Sequence, residues 1–400
     1  YGALCILVVY VVGFGFALGL QIRMGQAFGA AKPQKALEYF RQGMRLLALY
    51  AALWFCFFAF ASYPILYALT NNAALARATS EYLLWRSPGV LCSLPSLSFY
   101  ALAVSSNDSK PVGLAYVLGA LLNVSLDYFL IFGVGVFSEL GIRGAGLASA
   151  IADFGVLALY VLYFVQINKK HKGLFKGRYG GNLTPLFTTA APLVLQNALS
   201  MASWFAFFTL IERTGALNFQ LSIILRSIYG VFMIGGIALG AACNSLVSQA
   251  VGAGNWSKIP GILKKGSLLA LFLSVGTGWL MPVFSTAITG LFTPSDALIR
   301  MSTPSLWVIY LGLIGFSIGQ IWFNGLSGTG KTIRALWAEG ICLVLYVGYT
   351  ALLVVFSDSP KSEVIWIAEW IYGFGLLLCS FVFLHYLLKR RNPEPLNSLS

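Results

Sequence analysis

The chain has 400 residues, of which 58 % are hydrophobic and 10 % charged, with a formal net charge of +13. Soluble domains carry roughly 45–50 % apolar and about 25 % charged residues, so a soluble enzyme or soluble binding module is excluded. Apolar runs of about 20 residues recur, the length a helix needs to cross a bilayer.

Hydropathy, breakers and charge predict an all-α membrane protein of eleven helices, over about 1–27, 41–69, 76–105, 111–134, 143–167, 185–213, 217–252, 260–292, 298–327, 331–357 and 362–389. Continuous helices are expected because lipid offers no partner to a free backbone amide. Short connections punctuated by Gly, Pro, Asn or Asp join them, as at Asn107-Asp108-Ser109-Lys110-Pro111. A basic chain invites a nucleic-acid reading, but the charge distribution opposes it. Of the 26 Lys and Arg, all but eight lie in the alternate connections 28–45, 106–111, 168–184, 253–265 and 328–334 or at the C-terminus. The opposite side is expected to carry Arg77, Arg86, Arg143, Arg213, Arg300 and Lys361. This asymmetry predicts that the first set is cytoplasmic and that the protein sits in the cell (inner) membrane. The six cysteines show no CxxC spacing and read as small hydrophobes.

Gln26-Ala27-Phe28-Gly29-Ala30 returns as Gln249-Ala250-Val251-Gly252-Ala253, each copy closing an apolar segment and opening a basic loop. Leu75 and Arg77 answer to Leu298 and Arg300 at the same separation. Residues 106–110 answer to 327–331, Ser106 against Ser327, with a separation two residues shorter. Matches in register over this length indicate an internal duplication. Helices one to five then pair with seven to eleven, and the sixth has no counterpart. The expected architecture is a two-lobe bundle, derived from a six-plus-six arrangement whose first helix precedes Tyr1. It has a five-helix N-lobe over 1–170, a cytoplasmic connection 171–184, a six-helix C-lobe over 185–390 and a cytoplasmic tail 391–400.

These features resemble the MATE (multidrug and toxic compound extrusion) transporter family. The resemblance is carried by the two Gln-Ala-x-Gly-Ala helix ends, by Asn123-Val124-Ser125-Leu126-Asp127-Tyr128-Phe129-Leu130-Ile131-Phe132-Gly133, by Gly141-Ile142-Arg143-Gly144-Ala145-Gly146-Leu147-Ala148 and by Phe323-Asn324-Gly325-Leu326-Ser327-Gly328-Thr329-Gly330. It implies two six-helix lobes around a central cavity that export drug-like substrates in exchange for H⁺ or Na⁺. It also implies cation coupling at an N-lobe cluster with an Asn and an Asp four residues apart, matched here by Asn123 and Asp127. A further carboxylate of that cluster lies on the family's first helix. The family's other branch has acidic residues early in the first C-lobe helix, where residues 196–201 here have none, which speaks against coupling in the C-lobe.

Asn123 and Asp127 share one helix face, and Asp127 lies roughly 10 Å from the helix end at about 1.5 Å per residue. A carboxylate at that depth is costly unless paired, hydrated or protonated, so the pair is the candidate coupling site and the candidate Na⁺ site. The structural alternative is a helix–helix contact. Asp153, at similar depth in the antiparallel fifth helix, is expected to face the same cavity or to make a helix–helix hydrogen bond. Arg226 is expected to pair with Glu212 or Glu369, or to meet an anionic substrate. Gln196 and Asn197, just beyond Pro192, together with Asn324 and Glu339, complete the candidates for a substrate cavity. Arg23 is expected to snorkel to the interface.

Residues 325–332 fit G-x-x-x-x-G-K-[ST], but that loop cradles phosphate between a β-strand and a helix, and here it joins two membrane helices. No enzyme is therefore expected, and the sequon at Asn123 lies within a membrane helix. The expected protein is a monomeric secondary active exporter of multiple drugs or organic cations, an H⁺ or Na⁺ antiporter working by alternating access between paired repeats. Its small-molecule substrate is expected to be cationic and amphiphilic, stacking on Trp and Tyr, with no nucleic acid bound and no cofactor beyond the coupling ion. The competing reading is a flippase for lipid-linked oligosaccharides or another amphiphile.

Overall fold

The computed structural model describes residues 2–167, 181–357 and 360–391. The basic residues Lys169, Lys170, Lys172, Lys176 and Arg178, most of the 171–184 connection and the tail beyond 391 lie outside the described residues. Among the described residues, 11 helices are long and apolar enough to cross a membrane. They are α1 (Gly2–Gly29), α2 (Pro33–Thr70), α3 (Ala73–Ser105), α4 (Lys110–Phe132), α5 (Ile142–Val165), α6 (Thr184–Glu212), α7 (Ala216–Gly252), α8 (Trp256–Val283), α9 (Asp296–Gly328), α10 (Thr332–Phe356) and α11 (Ser362–Arg390).

Two elements depart from the sequence expectation for local reasons. Residues 33–40, expected in a loop, are the first turns of α2. Pro33 stands at its first position, where a missing N–H costs nothing, and Ala36, Leu37 and Phe40 are buried. The eighth helix runs unbroken only to Gly278, then continues as short turns Leu280–Val283 and Ser285–Gly290. Pro282 removes a backbone donor there and clashes with the preceding turn.

The duplication is visible in the backbone. α3 and α9 are both 33 residues long, and their first and last residues differ by the separation that relates Gln26 to Gln249. After α1, the amides of Ala30, Ala31 and Lys32 donate to the carbonyls of Gln26, Phe28 and Ala27; after α7, those of Ala253, Gly254 and Asn255 donate to Gln249, Val251 and Ala250 in the same pattern. Ala31 and Gly254 are the left-handed residues of the two turns, at φ 55° and 75°. The next pair of turns corrects the sequence alignment. Asn107 at φ 59° corresponds to Gly330 at φ 79°, so the register is the common one and Ser106 matches Thr329, not Ser327.

The chain divides into two compact units, Tyr1–Val194 and Leu195–Ser400. The division falls inside α6 rather than in the connection before it. The early turns of α6 lie hard against α1, since a Cβ on Gly15 would meet Val194 Cα at 2.7 Å and one on Gly19 would meet Ala190 Cα at 2.6 Å. Backbone approach through small residues is the usual way helices pack where lipid supplies no hydrophobic drive. In unit 1, Phe99 of α3 stacks on Tyr160 of α5 with centroids 5.8 Å apart and planes 5° from parallel. In unit 2, α9 and α11 cross at Gly373, where a Cβ would meet Phe316 N at 2.5 Å. The buried Trp366 of α11 donates to Ser222 of α7 at 3.2 Å.

Candidate cation and substrate sites

Unit 1 holds a half-open cavity of about 390 Å³ whose lining includes Tyr10 of α1, Arg86, Ser93 and Tyr100 of α3, Tyr116 and Asn123 of α4, and Ser149, Asp153 and Tyr160 of α5. Its charged centre is an ion pair, Arg86 Nη1 to Asp153 Oδ2 at 2.6 Å. The guanidinium N–H is not directed along that contact, so both atoms remain without an aligned hydrogen bond. Proximity and charge hold the pair. Arg86 is 7 % exposed and lies thirteen residues into α3. The sequence expectation put it with the charges outside the membrane; the structure places it within the span. Local packing explains how it fits. A Cβ on Gly89, one turn further along, would collide with the Arg86 guanidinium and meet Ala150 Cα at 2.7 Å and Asp153 Oδ2 at 3.0 Å. A glycine there lets α3 and α5 close and the guanidinium fold back between them.

Asn123 lines the same cavity and donates from Nδ2 to Ser149 Oγ at 3.1 Å. Asp127, one turn along α4, is not among the lining residues, and its Oδ1 is buried without a hydrogen-bond partner. The structure thus brings Asn123 and Asp153 together around Arg86, with Asp127 to one side.

Unit 2 builds a different polar cluster. Glu339 of α10 is 4 % exposed; its Oε1 accepts from Tyr372 OH at 3.0 Å and from Ser200 Oγ. Its Oε2 is buried without a partner, and so is Oε1 of Gln196, one turn before Ser200 on α6. Gln196 is 6 % exposed. Buried acceptors without donors are costly, and this set has the composition of a seat for a proton or a monovalent cation. A second buried carboxylate, Glu369 of α11, accepts from Tyr346 OH at 3.1 Å. Residue types alone did not single out Ser200, Tyr346 or Tyr372; the repeat does mark the two tyrosines. At the common separation, Tyr116, Asn123 and Ser149 of the unit 1 cavity correspond to Glu339, Tyr346 and Tyr372.

The remaining candidates separate. Arg226 pairs with neither Glu212 nor Glu369. It is exposed, with its guanidinium 4.5 Å from the Trp204 ring centroid and 5.2 Å from that of Phe208. Glu369 is turned to Tyr346 instead, which removes the expected partner. Asn324 of α9 donates to the backbone and side-chain oxygens of Gln320, both at 3.0 Å, and its own carbonyl accepts from Asn244 of α7 at 3.2 Å. The bond to its backbone carbonyl ties α9 to α7. Asn197 is half-buried on α6. Arg23 donates to Pro185 O at 2.9 Å, tying α1 to the start of α6.

The MatE family model matches residues 3–129 and 192–352, well over half the chain. The chain is 23 % identical over 330 residues to a probable multidrug resistance protein NorM of Thermotoga maritima, covering 82 % of this chain and 70 % of that protein. It is 22 % identical over 381 residues to multidrug and toxin extrusion protein 2 of Oryctolagus cuniculus, covering 93 % of this chain and 60 % of that protein. The chain therefore spans between three-fifths and seven-tenths of the length of these relatives. A solved MOP superfamily transporter from Pyrococcus furiosus shares the fold with a TM-score of 0.87 at 15 % identity, over 97 % of this chain and 86 % of that one. Membership in a family of transporters sets aside the nucleotide-enzyme reading of residues 325–332, and the eleven apolar helices make the protein a multi-pass membrane protein. The chain belongs to the MatE family.

Proposed function

We propose that the protein is a secondary active exporter of drug-like amphiphiles, organic cations among them, which it exchanges for H⁺ or Na⁺ by alternating access. In this reading it sits in the cell (inner) membrane, with the connections 28–45, 106–111, 168–184, 253–265 and 328–334 and the C-terminus in the cytoplasm. The relatives named for multidrug resistance and toxin extrusion support the substrate class.

The observation that carries the coupling is the Arg86–Asp153 pair inside a cavity built from apolar helices. A coupling cation, or a proton, competes with Arg86 for Asp153. When it arrives, Arg86 is left without its counter-charge and α3 is released from α5 at Gly89; when it leaves, the pair re-forms. Asn123 supplies a neutral oxygen at the same cavity. Moving a two-state equilibrium from 1:99 to 99:1 takes about 5.5 kcal/mol of differential binding. One exchanged buried pair, worth about 3–5 kcal/mol when broken, falls short of that alone. The acceptor cluster at Glu339 and the substrate itself contribute the remainder.

The test is transport by the full-length protein in vesicles. Efflux of a fluorescent organic cation should depend on an imposed H⁺ or Na⁺ gradient, and Asp153→Asn should remove that dependence. A gradient dependence left intact by Asp153→Asn would defeat the coupling assignment.

A further inference from the structure

Unit 2 carries an open groove of about 640 Å³ between α8 and α11, with α9 as its floor. Glycines let α9 sit close to both walls. A Cβ on Gly325 would meet Leu263 Cδ2 of α8 at 2.5 Å, and one on Gly319 would meet Gly373 O of α11 at 2.6 Å. Trp322, half-buried in the floor, is fixed to both sides. Its Nε1 donates to Ser267 Oγ of α8 at 3.1 Å, and its ring lies 5.1 Å from that of Phe381 on α11. Leu268 and Leu271 on one wall and Phe374 and Phe381 on the other are exposed.

The two ends of the groove differ. Leu271 and Phe374 make one end apolar. At the other, Lys264 stands one turn before Leu268 on the same face of α8. Helical side chains lean toward the helix start, so its ammonium extends toward the end of the span, where lysine meets water and headgroups. α11 runs opposite to α8, and His385, one turn beyond Phe381, stacks on that ring with centroids 6.0 Å apart. Trp322 lies six residues before the end of α9, roughly 9 Å at 1.5 Å per residue, a depth that suits a Trp at the membrane interface. α8 contains no acidic residue, and α9 and α11 have none in the halves beside Lys264. Neither Lys264 nor Lys265 forms an ion pair among the described residues.

The groove belongs to unit 2 and not to the repeated plan. At the common separation Lys264 answers to Arg41 and Trp322 to Phe99. In unit 1 both are buried, Arg41 at 6 % and Phe99 at 1 % exposure, with the Phe40 ring 5.1 Å from that of Phe99.

We propose that this groove binds a phospholipid with an anionic headgroup, one acyl chain lying along Trp322 and Phe374 and the phosphate meeting Lys264. Basic pockets between membrane helices recognise lipid headgroups in this way, and the apolar floor distinguishes a lipid from a free anion. The choice of the cytoplasmic leaflet rests on the orientation proposed above; binding itself does not.

The experiment uses the full-length protein in phosphatidylcholine vesicles with a trace of phosphatidylglycerol carrying a diazirine on one acyl chain. Light should attach the label to the peptides of α8, α9 and α11 that line the groove. Phosphatidylglycerol should mark them about fivefold more than a phosphatidylcholine bearing the same chain, the effect of one basic residue near an anionic headgroup. Lys264→Gln, at an exposed position, should remove that preference. Leu271→Trp, which fills the apolar end, should lower labelling by both lipids; should it fail to fold, wild type and Lys264→Gln decide. Equal labelling by the two lipids in the wild type, a preference unchanged in Lys264→Gln, or label confined to other helices overturns the proposal. Loss of the label on adding inorganic phosphate, which assigns Lys264 to a free anion, overturns it as well. So does an unlabelled groove in a protein that light scattering shows to be a dimer, with a second copy covering the site. Labelling needs no transport, so this proposal and the exporter reading stand or fall separately.

Discussion

Tyr116 of α4 and Glu339 of α10 occupy the same position in the two halves of the repeat, one lining the unit 1 cavity and the other fixed by Tyr372 and Ser200 in unit 2. The duplicated backbone has kept the place and changed the chemistry. Unit 1 carries its own counter-charge in Arg86, whereas the unit 2 cluster is made of acceptors and hydroxyls.

Removing one member of the Arg86–Asp153 pair should cost more than removing both. Asp153→Asn leaves a buried guanidinium uncompensated, which costs about 3–5 kcal/mol in buried pairs; the low end is expected because the Asp153 side chain retains 20 % exposure. Arg86→Met combined with Asp153→Leu should come within about 1 kcal/mol of wild type or exceed it. Unfolding of the full-length protein in detergent measures both. Equal losses in the single and double variants would show that the pair does not act as a unit.

Gly89→Ala should mimic the loss of the pair without touching either charge. The added methyl group takes the space of the Arg86 guanidinium and abuts Ala150 Cα. Overpacking of this kind costs about 1–3 kcal/mol, and the variant should also lose gradient dependence in transport. A stable, normally coupled Gly89→Ala protein would contradict the account of how α3 and α5 fit.

The corrected repeat register is testable at its two left-handed turn residues. Gly330→Ala should destabilise by about 1–2 kcal/mol, the cost of a Cβ in the left-handed region. Asn107→Gly should be neutral or slightly stabilising at the matching turn. Thermal unfolding of the two variants side by side checks this; a larger loss at Asn107→Gly would break the correspondence.

Glu339→Gln preserves shape and can still accept from Tyr372 and Ser200, so the variant should fold as wild type does. Apparent affinity for the coupling cation should fall about tenfold, equivalent to about 1.4 kcal/mol. Cation dependence of transport provides the readout. An unchanged dependence would make Glu339 a packing residue.

Much of the fold was legible because the solvent is lipid. Apolar runs had to be helices, and the Gln-Ala-x-Gly-Ala ends revealed the duplication. The third repeat match slipped by two residues because letter similarity favoured Ser327, whereas the backbone demands a residue tolerant of positive φ, which Asn107 and Gly330 supply. Asp153 stood out as an acid within an apolar run. Arg86 did not, because it shares its side of the helix pattern with charges outside the membrane, and its contact with Asp153 exists only once Gly89 and Ala150 bring α3 against α5. For Arg226 the nearby acids are no guide, since Trp204 and Phe208 become a shelf only when α6 and α7 pack.

The central claim is that Asp153 exchanges Arg86 for the coupling cation. Its most direct test is gradient-driven dye efflux by the full-length protein in vesicles, comparing wild type, Asp153→Asn and Asp127→Asn. Efflux should be gradient-dependent in the wild type, lose that dependence in Asp153→Asn, and change less in Asp127→Asn, whose side chain lies outside the cavity lining. Full gradient dependence in Asp153→Asn, with coupling lost only in Asp127→Asn, would contradict it.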